Sequence, residues 1–418
     1  MDAGTNRILD SRVGASRPRP GSRLGRTDWG LVLVVFGFLL IGLVMVYSAS
    51  YGFSLVEDGA YEGQPTYFVK RQAVFAGIGL VLMFICSRID YHLYQRHARL
   101  ILAGTVGMLL LILLVTVLTP GSLGRYLVAK TNSIQLSELA KLGAMIYIAV
   151  WLASKGADLR SVGLGLVPFA LLLGGIAGLI MVQPDFSTAC LLIVTAMVMF
   201  FVAGAETKQL AIGGLVGLVA LTLISFFLIK VVKLDPAVER WQRIQTWLDN
   251  PLSDSLDEGF QVVQTLAALN LGGLFGVGLG QSQQKFAIYA PHSDCIISII
   301  GEETGFVGTL LILAMYALWT WRGLRIAWNA VDVYGRLLAV GIVTWVTSGA
   351  ILHISVNTAT TPFTGDVLPF ISSGGSSLVT GLAAAGILLN IARVSSMASP
   401  GRGEYSQSGP ASSGVQER

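Results

Sequence analysis

Charge is what this 418-residue sequence has least of: Asp, Glu, Lys and Arg make up 12% of it, against 53% hydrophobic residues. A soluble domain carries charge on about a quarter of its residues, so an ordinary water-facing globular surface is excluded. Cysteine is scarce as well. Cys86, Cys190 and Cys295 are an odd set without metal-ligand spacing, which argues against a disulfide framework. Cys86 and Cys190 lie inside apolar blocks and read as packing residues. Those blocks are long, about 20 residues, rather than the stripes of a soluble amphipathic helix. The net charge of +4 is sorted along the chain by side of a membrane, so it does not point to nucleic acid.

The expected fold is an all-α integral membrane protein of about ten helices. The spans fall near 29–50, 70–87, 98–119, 137–154, 161–182, 187–204, 209–231, 298–321, 336–358 and 376–394. The first is too long for a signal peptide, follows a long polar segment and has no small-residue cleavage site after it. Residues 1–27 form an Arg-rich tail and 396–418 a Gly/Ser-rich one, both expected to be disordered and cytoplasmic, flanking a membrane domain over 28–395. The Lys/Arg distribution favours both termini inside. That places 232–297 outside, as a long, partly helical loop between the seventh and eighth spans.

In this loop Gly259 to Leu271 puts Gln261 and Gln264 three apart on one helical face, as in a short helix lying at the outer leaflet. The following GGLFGVGLGQS (272–282) superficially resembles a dinucleotide fingerprint, but no βαβ unit surrounds it. Polar groups inside spans need a reason, because each costs at least ~2.5 kcal/mol to insert. Glu138 and Lys141, three apart, are spaced for a structural ion pair. Gln183-Pro184-Asp185 reads as a helix-ending turn with Asp185 able to cap the next helix. Arg125, Lys130 and Lys285 share the outer side with Asp185 and together suit an anion. Pro291-His292-Ser293-Asp294 leads into the eighth span, and the buried acids Glu302 and Glu303 follow two turns further in. PFISSGGSS (369–377), with Ser372, Ser373 and Ser376, opens the last span with small residues. It suits either close helix packing or a helix N-terminus facing an anion.

Together these segments resemble the SEDS family (shape, elongation, division and sporulation), to which FtsW and RodA belong. The resemblance runs from about Asp28 to Arg393. It rests on GLVMVYSAS (42–50), Gly124-Arg125-Tyr126, QLSELAK (135–141), QPDFSTA (183–189), the loop from Arg243 through Asp249 to Gln261, GVGLGQSQQK (276–285), PHSDCIISIIGEE (291–303) and LPFISSGGSS (368–377). The GVGLG form and long N-terminus are closer to the FtsW branch. Leu136, Ser293, Cys295 and Thr304 depart from the usual Pro, Thr, Phe and Leu, and the segment before Gly365 is atypical.

The resemblance implies a peptidoglycan glycosyltransferase that polymerises lipid II at the outer face of the bacterial cytoplasmic membrane, in division by branch. It implies Asp294 as general base, beside substrate-binding residues Arg125, Lys130, Gln183, Asp185, Gln261, Gln264, Lys285, His292, Ser372, Ser373 and Ser376. A divalent cation, Mg or Mn, is a candidate to offset pyrophosphate charge; metal ligands are not assigned. The implied partners are lipid II, a class B penicillin-binding protein, divisome or elongasome proteins and membrane lipids. The rivals are a lipid II flippase, whose polar residues should line the whole bilayer, and a non-catalytic scaffold for the penicillin-binding protein.

Overall fold

The computed structural model describes residues 27–51, 66–118, 135–183, 185–227, 243–245, 247–248 and 259–398. Arg125, Lys130, Pro184, Asp249 and most of both expected tails lie outside the described residues. Among the described residues the chain is helical and carries no strand. Twelve α-helices are named here: α1 Trp29–Tyr51, α2 Tyr67–Arg88, α3 His92–Arg96, α4 Ala98–Leu118, α5 Leu136–Lys155 and α6 Val167–Val182. Then come α7 Phe186–Val202, α8 Thr207–Phe227, α9 Phe260–Gly272, α10 Ile296–Trp328, α11 Val333–Asn357 and α12 Gly375–Ala398. Among the described residues seven helices are long and apolar enough to cross a membrane, and the chain is a multi-pass membrane protein. The last helix runs to Ala398, past the boundary hydropathy suggested: its final turns are polar, but Ser395 is buried and its hydroxyl returns to Ile391 O at 2.7 Å.

Helix packing here cannot draw on a hydrophobic effect between helices, so close backbone approach matters. α12 lies along α2, with small residues at the seam. A Cβ on Gly386 would sit 2.4 Å from the Met83 carbonyl oxygen. α11 is the central helix, packed on α5, α7 and α10, with most of its length buried. At one end of the bundle, Asn390 receives the Tyr91 N–H at 3.0 Å and donates to Ser87 O at 2.9 Å. Tyr91 Oη donates to Asp332, which also caps α11 through Gly335 N at 2.6 Å. Arg322 pairs with Asp28 at 3.1 Å.

The longest helix, α10, is broken at Gly305, whose φ of 69° and ψ of −167° leave the helical region. A break within a span leaves carbonyls and amides that lipid cannot satisfy. The glycine-dense loop after α9 satisfies them. Val277 N and Gly278 N donate to the carbonyls of Glu302 and Glu303 at 2.9 and 3.1 Å. In return Phe306 N and Val307 N donate to Gly273 O and Leu274 O at 2.9 and 3.1 Å. A Cβ on Gly276 would lie 2.2 Å from Glu303 O, so only glycine admits this approach. The eighth span runs to Trp328 rather than ending near 321 as expected, and the glycines of the preceding loop serve the dock at Gly305.

Candidate active site

Two polar clusters lie inside the bundle. The first is built on Glu302 and Glu303, both essentially without exposed surface. Ser48 Oγ donates to both Glu303 oxygens at 2.6 and 2.7 Å. Glu302 accepts from Ser282 Oγ and from Gln283 N at 2.8 Å. Lys285 is 3% exposed; its Nζ donates to Gly280 O at 2.7 Å and lies 3.6 Å from Glu303 Oε1. Lys285, expected at the substrate, lies buried beside Glu303 as its counter-ion. Its reach is set by the glycine loop folding back on the α10 break.

The second cluster surrounds Asp294, which is half-buried just before α10. Cys295, not Asp294, occupies the N-cap position of that helix. The Asp294 backbone is fixed from two sides. Asn357 Nδ2 donates to Asp294 O at 3.0 Å, and Ser298 Oγ orients Asn357 at 2.9 Å. Ser372 Oγ donates to Ser293 O at 2.7 Å, and Ser373 N donates to His292 O at 2.9 Å. The carboxyl faces Gly365: a Cβ built there would lie 3.2 Å from Asp294 Oδ2, and Gly365 has a φ of +70°. Burial, then the charge of Asp294, pushes the Cys295 thiol well up, which disfavours its thiolate. His292 is buried against the Phe68 ring, centroids 4.1 Å apart. Burial, then the nearby Arg71, pulls its pKa down to about 4.

Other residues singled out from the sequence hold this frame. Gln261 Nε2 donates to Tyr289 O at 2.9 Å and to Cys295 Sγ at 3.3 Å, joining α9 to the Asp294 loop. Gln264 is half-buried on the same helix. Asp185 caps α7 through Thr188 N at 3.3 Å, and accepts from Gln135 Nε2 and Ser137 Oγ at 2.8 and 2.9 Å. Ser376 Oγ accepts from Gln135 N at 2.9 Å. Gln183, expected at the substrate, is buried and donates to Leu109 O at 2.7 Å, so its amide joins α6 to α4. The hydroxyl of Ser372 is likewise occupied, accepting from Leu368 N at 2.8 Å while it donates to Ser293 O. Glu138 and Lys141 pair at 2.8 Å beneath the site, with the ammonium 5.3 Å from the Trp345 ring centroid.

A small cavity of about 30 Å³, room for ordered water, is lined by Glu138, Lys141, Trp345 and Asp366. Asp366, His353, Asn357 and Arg71 were not singled out from the sequence. His353 and Asn357 are four apart near the end of a span, a polar pair on one helical face that could have flagged them. Among the described residues no group of three or more His, Cys, Asp or Glu is arranged to hold a metal ion.

The FtsW/RodA/SpoVE family model, described as cell cycle protein, matches residues 29–397. Over 371 residues the chain is 39% identical to stage V sporulation protein E of Bacillus subtilis, covering 88% of this chain and 97% of that one. Over 378 residues it is 37% identical to the probable peptidoglycan glycosyltransferase FtsW of Trichlorobacter lovleyi, covering 88% and 94%. A chain of a solved structure, reported as structural coordination of polymerization and crosslinking by a peptidoglycan synthase complex, superposes with a TM-score of 0.69. The two are 27% identical over 88% of this chain and 98% of that one. The rod shape determining protein RodA of Thermus thermophilus gives 0.59 at 25% identity, covering 88% and 97%. With 369 of its residues matched by the family model (29 through 397), this chain belongs to the FtsW/RodA/SpoVE family of cell cycle proteins.

Proposed function

We infer that the chain is a peptidoglycan glycosyltransferase of the cell wall, a reading its relatives' names and its fold support. We further propose that it polymerises lipid II, with Asp294 as the general base. The observation that carries this is the fixed placement of one half-buried carboxylate, clamped by Asn357, Ser372 and Ser373 and faced by a glycine.

The chemistry suits one such group. A sugar hydroxyl has a pKa far above neutral, so a base beside it assists attack. As the acceptor oxygen bonds to the anomeric carbon of the donor sugar, its proton passes to an Asp294 oxygen. The lipid pyrophosphate departs with the electron pair of the broken bond. It is already a good leaving group, so the second carboxyl that glycosidases use is not required. Backbone ties rather than mobile side chains hold the base, which favours a ready-made geometry. With Lys285 paired internally, Arg125 and Lys130 are left from the expected basic set to offset pyrophosphate charge, joined by Arg71 close to His292. A divalent cation, Mg or Mn, would add to this charge offset when bound.

The sorting of Lys and Arg along the chain favours the outer face of the cytoplasmic membrane for this site. A cross-linking partner, by family a class B penicillin-binding protein, and division-site proteins fit the synthase-complex relative and the FtsW relatives. The test is polymerisation of lipid II by the purified chain with that partner. Asp294→Ala should abolish glycan chains while partner binding persists. Unchanged polymerisation by that variant would contradict the role of Asp294, and a flippase or scaffold with a partner that only cross-links would form no glycan at all.

A further inference from the structure

The loop between α11 and α12 carries a carboxylate that the reaction above does not use. Asp366 is half-buried, and its open side adjoins the small cavity it shares with Glu138 and Lys141. Its Oδ1 accepts from Ser187 Oγ of α7 at 2.7 Å, and its Oδ2 from Thr364 Oγ1 at 3.4 Å. Its backbone carbonyl accepts from His353 Nδ1 of α11 at 2.7 Å. The residue immediately before it is Gly365, whose backbone faces the Asp294 carboxyl. Asp366 is therefore the anchor nearest in the chain to the surface that the base rests on.

We propose that Asp366 is a positioning residue for glycosyl transfer: by tying the α11–α12 loop to Ser187 and His353 it holds Gly365 against the Asp294 carboxylate, and its ionised form does the holding. This rests on the glycosyltransferase reading above. The ionised carboxyl accepts both hydroxyls. Once protonated it must also donate, and Glu138 lines the same cavity with an Oε2 that has no partner among the described residues. Turning toward that acceptor draws Asp366 away from Ser187 and loosens Gly365. Protonation thus weakens the positioning.

The groups around Asp366 place this exchange in the physiological range. Burial raises its pKa most, and Asp185 beside α7 raises it further. The Ser187 hydrogen bond and Lys141 of α5 oppose them, Glu138 of α5 adds to the rise, and the result is about 7. Cys190 of α7 also lies within its field. His353 meets the Asp366 backbone, and Asp294 stands beyond Gly365.

The experiment measures lipid II polymerisation by the purified chain with its cross-linking partner, as kcat and KM, from about pH 5.5 to 9. Wild-type kcat should fall as pH drops through about 7, with KM changing by less than about twofold if only positioning is lost. Asp366→Asn keeps an oxygen for Ser187 but cannot ionise, so the limb near pH 7 should vanish. Ser187→Ala removes a bond that favours the ionised form, so the limb should move to higher pH. Asp366→Val should lower kcat about tenfold to a hundredfold at every pH, since a misplacement of about 1 Å can cost about 10²-fold. Unfolding temperature identifies a variant that fails to fold, and the other two then decide. An Asp366→Asn enzyme that keeps the wild-type limb, or a folded Asp366→Val enzyme with unchanged kcat, overturns the proposal. A wild-type complex that makes no glycan overturns the glycosyltransferase reading itself, and this role with it.

Discussion

The two polar clusters of the bundle differ in how completely their carboxylates are partnered. Glu302 and Glu303 are bonded by serine hydroxyls, backbone amides and one ammonium, and neither side chain has an unpartnered oxygen. Around Asp294 the backbone is fixed, but the side-chain layer beneath it is left incomplete. Glu138 Oε2 and His353 Nε2 are buried without a partner among the described residues, and a cavity adjoins the ion pair. A satisfied buried network rigidifies a fold, whereas a partly satisfied one leaves groups able to exchange partners. On this comparison the Glu302–Glu303 cluster builds the frame, and the Asp294–Asp366 region uses it.

Breaking the first cluster should have the larger effect on stability. Glu303→Ala leaves Lys285 buried without its counter-ion, a change that typically costs about 3–5 kcal/mol. Thermal unfolding of the purified protein should show it, and activity should fall only with the folded fraction. Replacing both members of the Glu138–Lys141 pair sharpens the contrast. Glu138→Gln with Lys141→Met removes both charges from the second cluster, and such paired replacements are often close to neutral, within about 1 kcal/mol. The double variant should therefore melt near wild type while the limb of its kcat–pH curve moves only slightly, toward higher pH, because Lys141 and Glu138 act on Asp366 in opposite senses and Lys141 acts more strongly.

The smallest effect concerns His292, whose neutral form the fold favours. Its pKa is about 4 in the fold against 6.5 when free, so the unfolded chain binds the extra proton between those values. The stability it contributes is present above pH 6.5 and is lost as pH falls toward 4. Asp366 acts in the opposite sense, binding its proton more tightly in the fold and losing stability as pH rises toward 7. His292→Gln should flatten the acid side of the melting curve against pH, and calorimetry or differential scanning fluorimetry would read the change.

Much of this frame was legible in the sequence because lipid imposes simple length and polarity rules. The apolar blocks marked helices, an i,i+3 spacing marked Glu138 and Lys141, and the cost of intramembrane charge drew attention to Glu302 and Glu303. What was not legible depended on chain reversal. Lys285 reaches Glu303 because glycines at 276 and 305 let a loop meet a broken helix, and local spacing does not encode that meeting. Gln183 reads as part of a helix-ending turn, yet its amide donates to Leu109 O of another helix. Asp366 was not singled out from the sequence, since its partners come from α7 and α11.

The most direct test of the account remains the carboxylate at the mouth of α10. Lipid II polymerisation by the purified chain with its cross-linking partner should fall by about 10²–10⁴-fold in Asp294→Ala. Unfolding temperature and partner binding should stay unchanged. Glycan chains formed at the wild-type rate by that variant would contradict the assignment of Asp294 as the base.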